Sequence, residues 1–124
     1  MAGTIAEQHH HLRTLLTEIE AADATAVPAL ILELKDALEK HFADEEAPGA
    51  FDDIVRTNAA NVSPRLVQLF REHAYILRKV NALAGDPDPR ARDVLRLVQA
   101  IRLHETNEME LLTDALYDDH GGSG

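Results

Sequence analysis

Apolar residues recur at helical spacing along almost the whole chain of 124 residues, and no stretch alternates in the manner of a strand. Each amphipathic helix has to bury its apolar stripe against another helix, so this periodicity leaves few folds open. A chain of this length is expected to form one domain around one core. The sequence therefore predicts an all-α protein.

Capping residues and prolines predict where the first two helices begin and end. Thr4 with Glu7 has the pattern of a capping box for the first helix, which is expected to stop near Ala22. The second helix accommodates Pro28 because a proline is tolerated in the first helical turn. It is expected to end before Pro48-Gly49.

The second half of the chain repeats these signals. After a connection predicted over residues 48–62, Ser63-Pro64 is interpreted as a helix start, because serine caps and proline suits the first helical position. Gly85 is a natural stop for this third helix. Asp88-Pro89 repeats the start signal for a fourth helix, which is expected to run to about Asp118.

Short first and third connections indicate two antiparallel helical hairpins. Packed together, the hairpins give an up-down-up-down four-helix bundle, which is predicted to occupy residues 1–120. The glycine-rich residues 121–124 are predicted to form a flexible tail.

Charge and composition exclude several classes of partner. Twelve basic and 22 acidic side chains give a net charge of −10, which repels nucleic-acid phosphates and anionic lipid. No apolar run approaches the roughly 18 residues that span a bilayer. The first residues show no basic-then-apolar signal, which favours a cytoplasmic location. The chain contains no cysteine, so His, Asp and Glu would have to hold any metal.

Polar residues interrupt the apolar stripes at matching places in all four predicted helices. Every helix carries one inward histidine, and the second and fourth helices add a glutamate four residues later, on the same face. These six residues are His9, His41, Glu45, His73, His104 and Glu108. His10 and His11 point away from the inward face of the first helix, although either remains an alternative to His9.

The four histidines can lie at one level of the bundle. Counted from the nearer hairpin connection, they lie about 17 to 22 Å from the same end, at about 1.5 Å of rise per residue. Four imidazoles and two carboxylates left without partners in a core would cost on the order of 10 kcal/mol, which is comparable to the whole stability of a small domain. The sequence therefore predicts that cations satisfy them.

The donor set suits a pair of ions better than one. Two histidines per ion with both glutamates bridging would give four protein ligands each, and an octahedral ion would keep about two positions for a bridging oxide or hydroxide and an external ligand. Imidazole and carboxylate without sulfur favour Fe, Mn, Co or Zn.

The order of these motifs resembles the hemerythrin-like, or HHE cation-binding, family. The matching segments are EQHHHLRTLL, LEKHFADEE, FREHAYIL and IRLHETNEMELL, and the resemblance covers about residues 4–118. It implies a non-haem di-iron centre, with Mn or Zn as alternative metals, inside a four-helix bundle. The four histidines would then be terminal ligands, and Glu45 and Glu108 would be the bridging carboxylates.

The third helix departs from the pattern of the family's oxygen carriers, which usually have a further histidine four residues after the first. Leu77 stands at that position here. The resemblance is therefore closer to members with fewer ligands. We hypothesise that Leu77 leaves an open coordination position for dioxygen, nitric oxide or peroxide, in a pocket lined by Leu77, Phe70 and Leu12.

The resemblance implies a protein that binds dioxygen or a related small oxidant for sensing, storage or scavenging. A di-iron enzyme that reduces peroxide or nitric oxide, or repairs iron centres, is the first alternative, and a metal-free helical interaction module is the second. The chain would act as a monomer or a homodimer. Glu46, Glu72 and Glu105 adjoin the predicted ligands and are either solvated or hold a ligating imidazole.

Overall fold

The computed structural model describes residues 4–47 and 52–121 of the chain, and side chains within 4–47 and 64–114. It contains four helices, α1 (Ile5–Ala21), α2 (Val27–Glu46), α3 (Asp52–Ala84) and α4 (Ala91–Gly121). Consecutive helices pack against each other, which confirms the predicted all-α four-helix bundle. Gly121 ends α4, and residues 122–124 of the predicted tail lie outside the described residues.

Local hydrogen bonds close the first helical hairpin. The hydroxyl of Thr4 accepts from the backbone N–H of Glu7 at 3.1 Å, and the backbone N–H of Thr4 donates to the Glu7 carboxylate at 2.9 Å, so the predicted capping box is present. In the turn after α1, a carboxylate oxygen of Asp23 accepts from the backbone N–H groups of Thr25 and Ala26. This compact turn leaves α2 antiparallel to α1.

The third helix starts earlier than the sequence predicted. It begins at Asp52, and Pro64 lies inside it, so the predicted start at Ser63-Pro64 was wrong. Residues 52–62 are helical rather than a connection, whereas residues 48–51 lie outside the described residues. A proline removes one backbone donor and crowds the preceding turn, which weakens a helix without always ending it. The acidic pair Asp52-Asp53 also suits the positive end of a helix dipole.

The described side chains form two apolar core clusters. The larger one draws on all four helices and contains Leu12, Leu15, Leu16, Ile19, Ile31, Leu34, Leu38, Phe42, Ile76, Val80, Val94, Leu97, Val98 and Ile101. The smaller one contains Leu66, Leu69 and Leu111. The larger cluster has one edge near the hairpin turns and one edge far from them. On each helix, the inward histidine lies at the far edge. The predicted polar residues therefore form a layer between two apolar ones.

No helix in the described part of the chain combines the length and the apolar composition that a bilayer crossing requires.

Candidate metal centre

The six predicted site residues meet inside the bundle. All are buried, and His9 is the most exposed of them at 9%. They form two groups in which the ligand atoms lie within 4.8 Å of one another, and Glu45 and Glu108 belong to both groups. The first group adds His9 and His41, and the second adds His73 and His104. Each group could hold a metal ion.

Glu45 is surrounded by imidazole nitrogens from three helices. Its Oε2 atom lies 3.2 Å from Nε2 of His41, which is one turn earlier on α2, and 3.4 Å from Nε2 of His9 on α1. Its Oε1 atom lies 3.2 Å from Nε2 of His73 on α3. The carboxylate therefore joins the two groups.

Glu108 occupies the matching position on α4. Its Oε2 atom lies 2.6 Å from Nε2 of His9, and its Oε1 atom lies 3.7 Å from Nε2 of His104. All four histidines thus direct Nε2 toward one of two carboxylates. Because His104 and Glu108 are four residues apart on one helix, the same spacing that brings His41 to Glu45 brings them together.

Two of the imidazoles are held from behind by carboxylates of the neighbouring helix. Nδ1 of His73 lies 2.7 Å from a carboxylate oxygen of Glu46, and Nδ1 of His104 lies 2.7 Å from one of Glu72. A carboxylate can only accept, so each Nδ1 carries the proton and donates it. This bond fixes the ring plane and leaves Nε2 as the atom that faces the centre.

His41 is held by an amide instead. Its Nδ1 lies 2.8 Å from the side-chain oxygen of Gln8, whose amide nitrogen donates to Asp44 at 2.7 Å. Lys40 in turn donates to Asp44 at 3.2 Å. A polar chain that reaches the surface therefore orients this imidazole. Gln8 is a functional residue that the sequence reasoning missed, because the rotation of α1 against α2 decides which side chain reaches His41.

The inner polar atoms are left without hydrogen bonds of their own. Oε1 of Glu45, Nε2 of His73 and Nε2 of His104 are buried and have no aligned hydrogen-bond partner. In its neutral form, with the proton on Nδ1, each of these imidazoles presents a lone pair on Nε2 to a carboxylate oxygen, so two acceptors face each other. A cation between them would remove this conflict, which is why the donor set fits bound metal.

The electrostatics of the two carboxylates differ. Burial favours the neutral form of Glu45, but the surrounding imidazoles of His41, His73 and His9 outweigh burial and lower the pKa of Glu45 below its usual range. Burial raises the pKa of Glu108 to about 7. Hydrogen bonds to Glu108 and Glu45 raise the pKa of His9 to about 10. Without metal, protons on His9 and Glu108 therefore offset part of the negative charge of the two carboxylates.

Burial acts differently on the two histidines of the second group. It lowers the pKa of His104, where the hydrogen bond to Glu72 compensates only in part. For His73 the carboxylates of Glu45 and Glu46 outweigh burial, and its pKa is raised. The two imidazoles of this group therefore differ in charge state, although each has a carboxylate of a neighbouring helix behind it.

Phe42 forms the apolar wall of the second group. Its ring is parallel to that of His73, with 3.9 Å between the centroids, and stands edge-on to that of His104 at 5.4 Å. The sequence reasoning missed Phe42, although it continues the i, i+4 row of Leu34 and Leu38 into the polar layer.

The residues predicted to line a ligand pocket have different surroundings. Leu12 is fully buried in the larger apolar cluster, and Leu77 is half-buried against it. Phe70 is half-buried against the smaller cluster, with its ring 5.5 Å from that of His73. On α3 it is Ile76 rather than Leu77 that is fully buried after His73.

An open cavity of about 510 Å³ reaches the centre at His9, between α1 and α4. Its lining includes Arg13, Arg102, Glu105 and Glu110, but none of the three predicted pocket residues. Glu105 faces this cavity rather than an imidazole, and burial raises its pKa. Of the alternatives at the start of α1, His9 enters the centre, whereas His10 and His11 are exposed.

Comparisons with protein families, with curated proteins and with solved structures find no match to this chain. The centre itself presents four imidazole nitrogens and two shared carboxylates in a buried layer, and hydrogen bonds to Nδ1 orient three of the four imidazoles. This is a site that could bind metal.

Proposed function

We propose that this chain is a hemerythrin-like, non-haem di-iron protein of the cytoplasm. It binds dioxygen or a related small oxidant, such as nitric oxide or peroxide, for sensing, storage or scavenging. The observation that carries the proposal is the pair of overlapping groups that share Glu45 and Glu108. Each group supplies two imidazoles and two carboxylates, a donor set that suits iron, with manganese or zinc as alternatives.

When bound, a pair of iron ions supplies reversible electron transfer and coordination positions that the protein leaves open. The chain's own residues would hold the two ions in place. Glu45 and Glu108 would hold both ions, His9 and His41 would hold one, and His73 and His104 the other. The apolar clusters on either side of the polar layer keep water from its inner atoms, which strengthens the charge interactions between them. The cavity beside His9 gives small molecules a way in.

Anaerobic loading of the full chain with ferrous iron tests the proposal. We expect two irons per chain, and exposure to air, nitric oxide or peroxide should produce ultraviolet and visible charge-transfer bands. Glu45→Gln should remove the bands, because the amide can bridge two cations far less well than a carboxylate. Glu39→Gln is the matched control, because Glu39 is an exposed glutamate on the same helix that pairs with Lys35.

The same samples separate the alternatives. Bands that bleach reversibly under argon support oxygen binding, whereas catalytic turnover of peroxide or nitric oxide would favour the enzyme. A chain that is folded but takes up no metal would contradict the proposal and leave the helical interaction module. Size-exclusion chromatography with light scattering would show whether the loaded protein is a monomer or a homodimer.

A further inference from the structure

We infer that the two cation positions of the centre are unequal and fill in a fixed order. The position formed by His73 and His104, called here the inner position, takes a divalent cation first and more tightly. The position formed by His9 and His41, the outer position, fills second and exchanges with solvent. The inference rests on the proposed function in one respect only, since it needs two cation positions.

The partners behind the imidazoles carry different charges at the two positions. Both histidines of the inner position donate Nδ1–H to a carboxylate, Glu46 for His73 and Glu72 for His104. At the outer position His41 donates to the neutral amide oxygen of Gln8. An anionic partner makes the opposite nitrogen a stronger donor to a cation than a neutral partner does, and loss of such a partner typically weakens metal binding about 10- to 100-fold.

Glu72 at the inner position and Gln8 at the outer position are each held in place by further hydrogen bonds. Asn107 donates to Glu72 at 3.1 Å, and Gln68 donates to the same carboxylate oxygen at 3.4 Å. The amide nitrogen of Gln8 donates to Asp44 at 2.7 Å. Glu72 and Gln8 are therefore similarly preorganised, and they differ in charge.

The spacing of the donor atoms also differs between the two positions. Ligand atoms about 2.0 to 2.2 Å from a metal lie about 3 Å apart when they are neighbours in the coordination shell. At the inner position Nε2 of His73 is already 3.2 Å from Glu45, and Nε2 of His104 is 3.7 Å from Glu108. At the outer position Nε2 of His41 is likewise 3.2 Å from Glu45, but Nε2 of His9 is only 2.6 Å from Glu108, so this second contact has to lengthen before a cation enters.

Solvent reaches the outer position more easily than the inner one. His73 and His104 are 1% and 3% exposed, and Phe42 covers both rings. His9 is 9% exposed and forms part of the wall of the cavity between α1 and α4. An ion at the outer position therefore has the shorter path to solvent, and it should leave and return faster than an ion at the inner position.

Titration of the metal-stripped full chain with Zn²⁺ tests the order, because Zn²⁺ is diamagnetic and reports on histidines by ¹⁵N NMR. The first equivalent should shift the Nε2 signals of His73 and His104, and the second those of His9 and His41. Calorimetry should resolve two affinities that differ by about tenfold or more. Simultaneous shifts of all four histidines, or shifts of His9 and His41 first, would overturn the inference.

Paired substitutions test its cause. Replacing both carboxylate partners, Glu46→Gln with Glu72→Gln, should weaken the first affinity by about 10- to 100-fold and abolish the order. Glu18→Gln with Glu39→Gln removes the same charge from two exposed glutamates and should preserve the order. Circular dichroism checks that both variants are folded.

The converse variant gives the outer position an anionic partner. Gln8→Glu places a carboxylate behind His41, and Asp44→Asn in the same chain supplies it with an amide neighbour in place of a like charge. The second affinity should rise about tenfold while the first stays unchanged. If two ions bind but neither pair of substitutions changes the affinity of the position that it targets, only this inference fails. If the wild-type chain binds no ion, the proposed function fails with it.

Discussion

The rings of Phe42 and His73 are stacked face to face, with 3.9 Å between the centroids and 9° between the planes. Phe42 follows His41 on α2 and is 2% exposed. The same ring contacts His104 edge-on, at an interplanar angle of 79°. One aromatic side chain therefore belongs both to the larger apolar cluster and to the wall of the metal centre, so stability and site geometry are coupled at this position.

Phe42→Ala should lower the free energy of unfolding of the metal-free protein by about 3 to 5 kcal/mol, because it opens a cavity in the core. Urea denaturation followed by circular dichroism measures this loss. Leu32→Ala is the control, since Leu32 is on the same helix and 51% exposed, and its effect should stay within about 0.5 kcal/mol. Equal effects of the two substitutions would contradict the assigned packing.

Cation affinity should rise with pH. Hydrogen bonds to Glu108 and Glu45 hold the pKa of His9 at about 10, and burial holds that of Glu108 at about 7. Both pKa values are raised, so near neutral pH the metal-free centre carries protons that a cation has to displace. Lowering the pH adds protons and weakens binding, whereas raising it from about 6 to about 9 strengthens binding.

Calorimetry in buffers of different ionisation enthalpy counts the protons released when Zn²⁺ binds. We expect at least one proton per chain near neutral pH, mainly from His9. His10→Gln provides a control, because His10 is exposed and its loss should leave the proton count unchanged. An affinity that does not vary with pH would show that His9 and Glu108 do not contribute to binding.

Removal of metal should destabilise the fold without abolishing it. A cation that binds only the folded chain stabilises it by about 2.7 kcal/mol when free metal is 100-fold above its Kd. The two apolar clusters should keep the metal-free chain helical, while the unpartnered atoms of Glu45, His73 and His104 lower its stability. Thermal unfolding with Zn²⁺ and with chelator measures the difference, and identical midpoints would count against a metal-filled centre.

The capping box at the start of α1 should also contribute measurably. Thr4→Ala removes the hydroxyl that accepts from the backbone of Glu7 and should cost about 1 kcal/mol of unfolding free energy. Thr17→Ala is a suitable comparison, because the exposed Thr17 hydroxyl bonds only within its own helix, to the carbonyl of Arg13. If Thr4→Ala costs no more than Thr17→Ala, the cap is not stabilising.

Local signals predicted most of the fold. The capping box at Thr4 and the stop signal at Gly85 agree with the structure to within a residue or two, because each acts through hydrogen bonds or backbone sterics nearby. The start of α3 could not be obtained in this way. Ser63-Pro64 satisfies the rules for a first turn, but a helix continues through it when the residues before it are also helical, and that choice depends on the whole bundle.

For the centre, the sequence predicted which side chains point inward and not how they are held. The i, i+4 spacing brings His41 to Glu45 and His104 to Glu108, and both pairs lie together in the structure. The hydrogen bonds behind the imidazoles join neighbouring helices, so they depend on helix rotation and axial shift. Periodicity carries no information on either quantity, which is why Gln8 could not be assigned to His41 from the sequence.

Metal content per chain tests the central claim most directly. Iron and zinc should be determined by elemental analysis after loading and desalting, for the wild-type chain and for His41→Ala and His104→Ala. We expect two ions per wild-type chain and fewer in each variant, because each substitution removes a ligand from a different group. No bound metal in a folded wild-type chain, or two ions retained by both variants, would contradict the account.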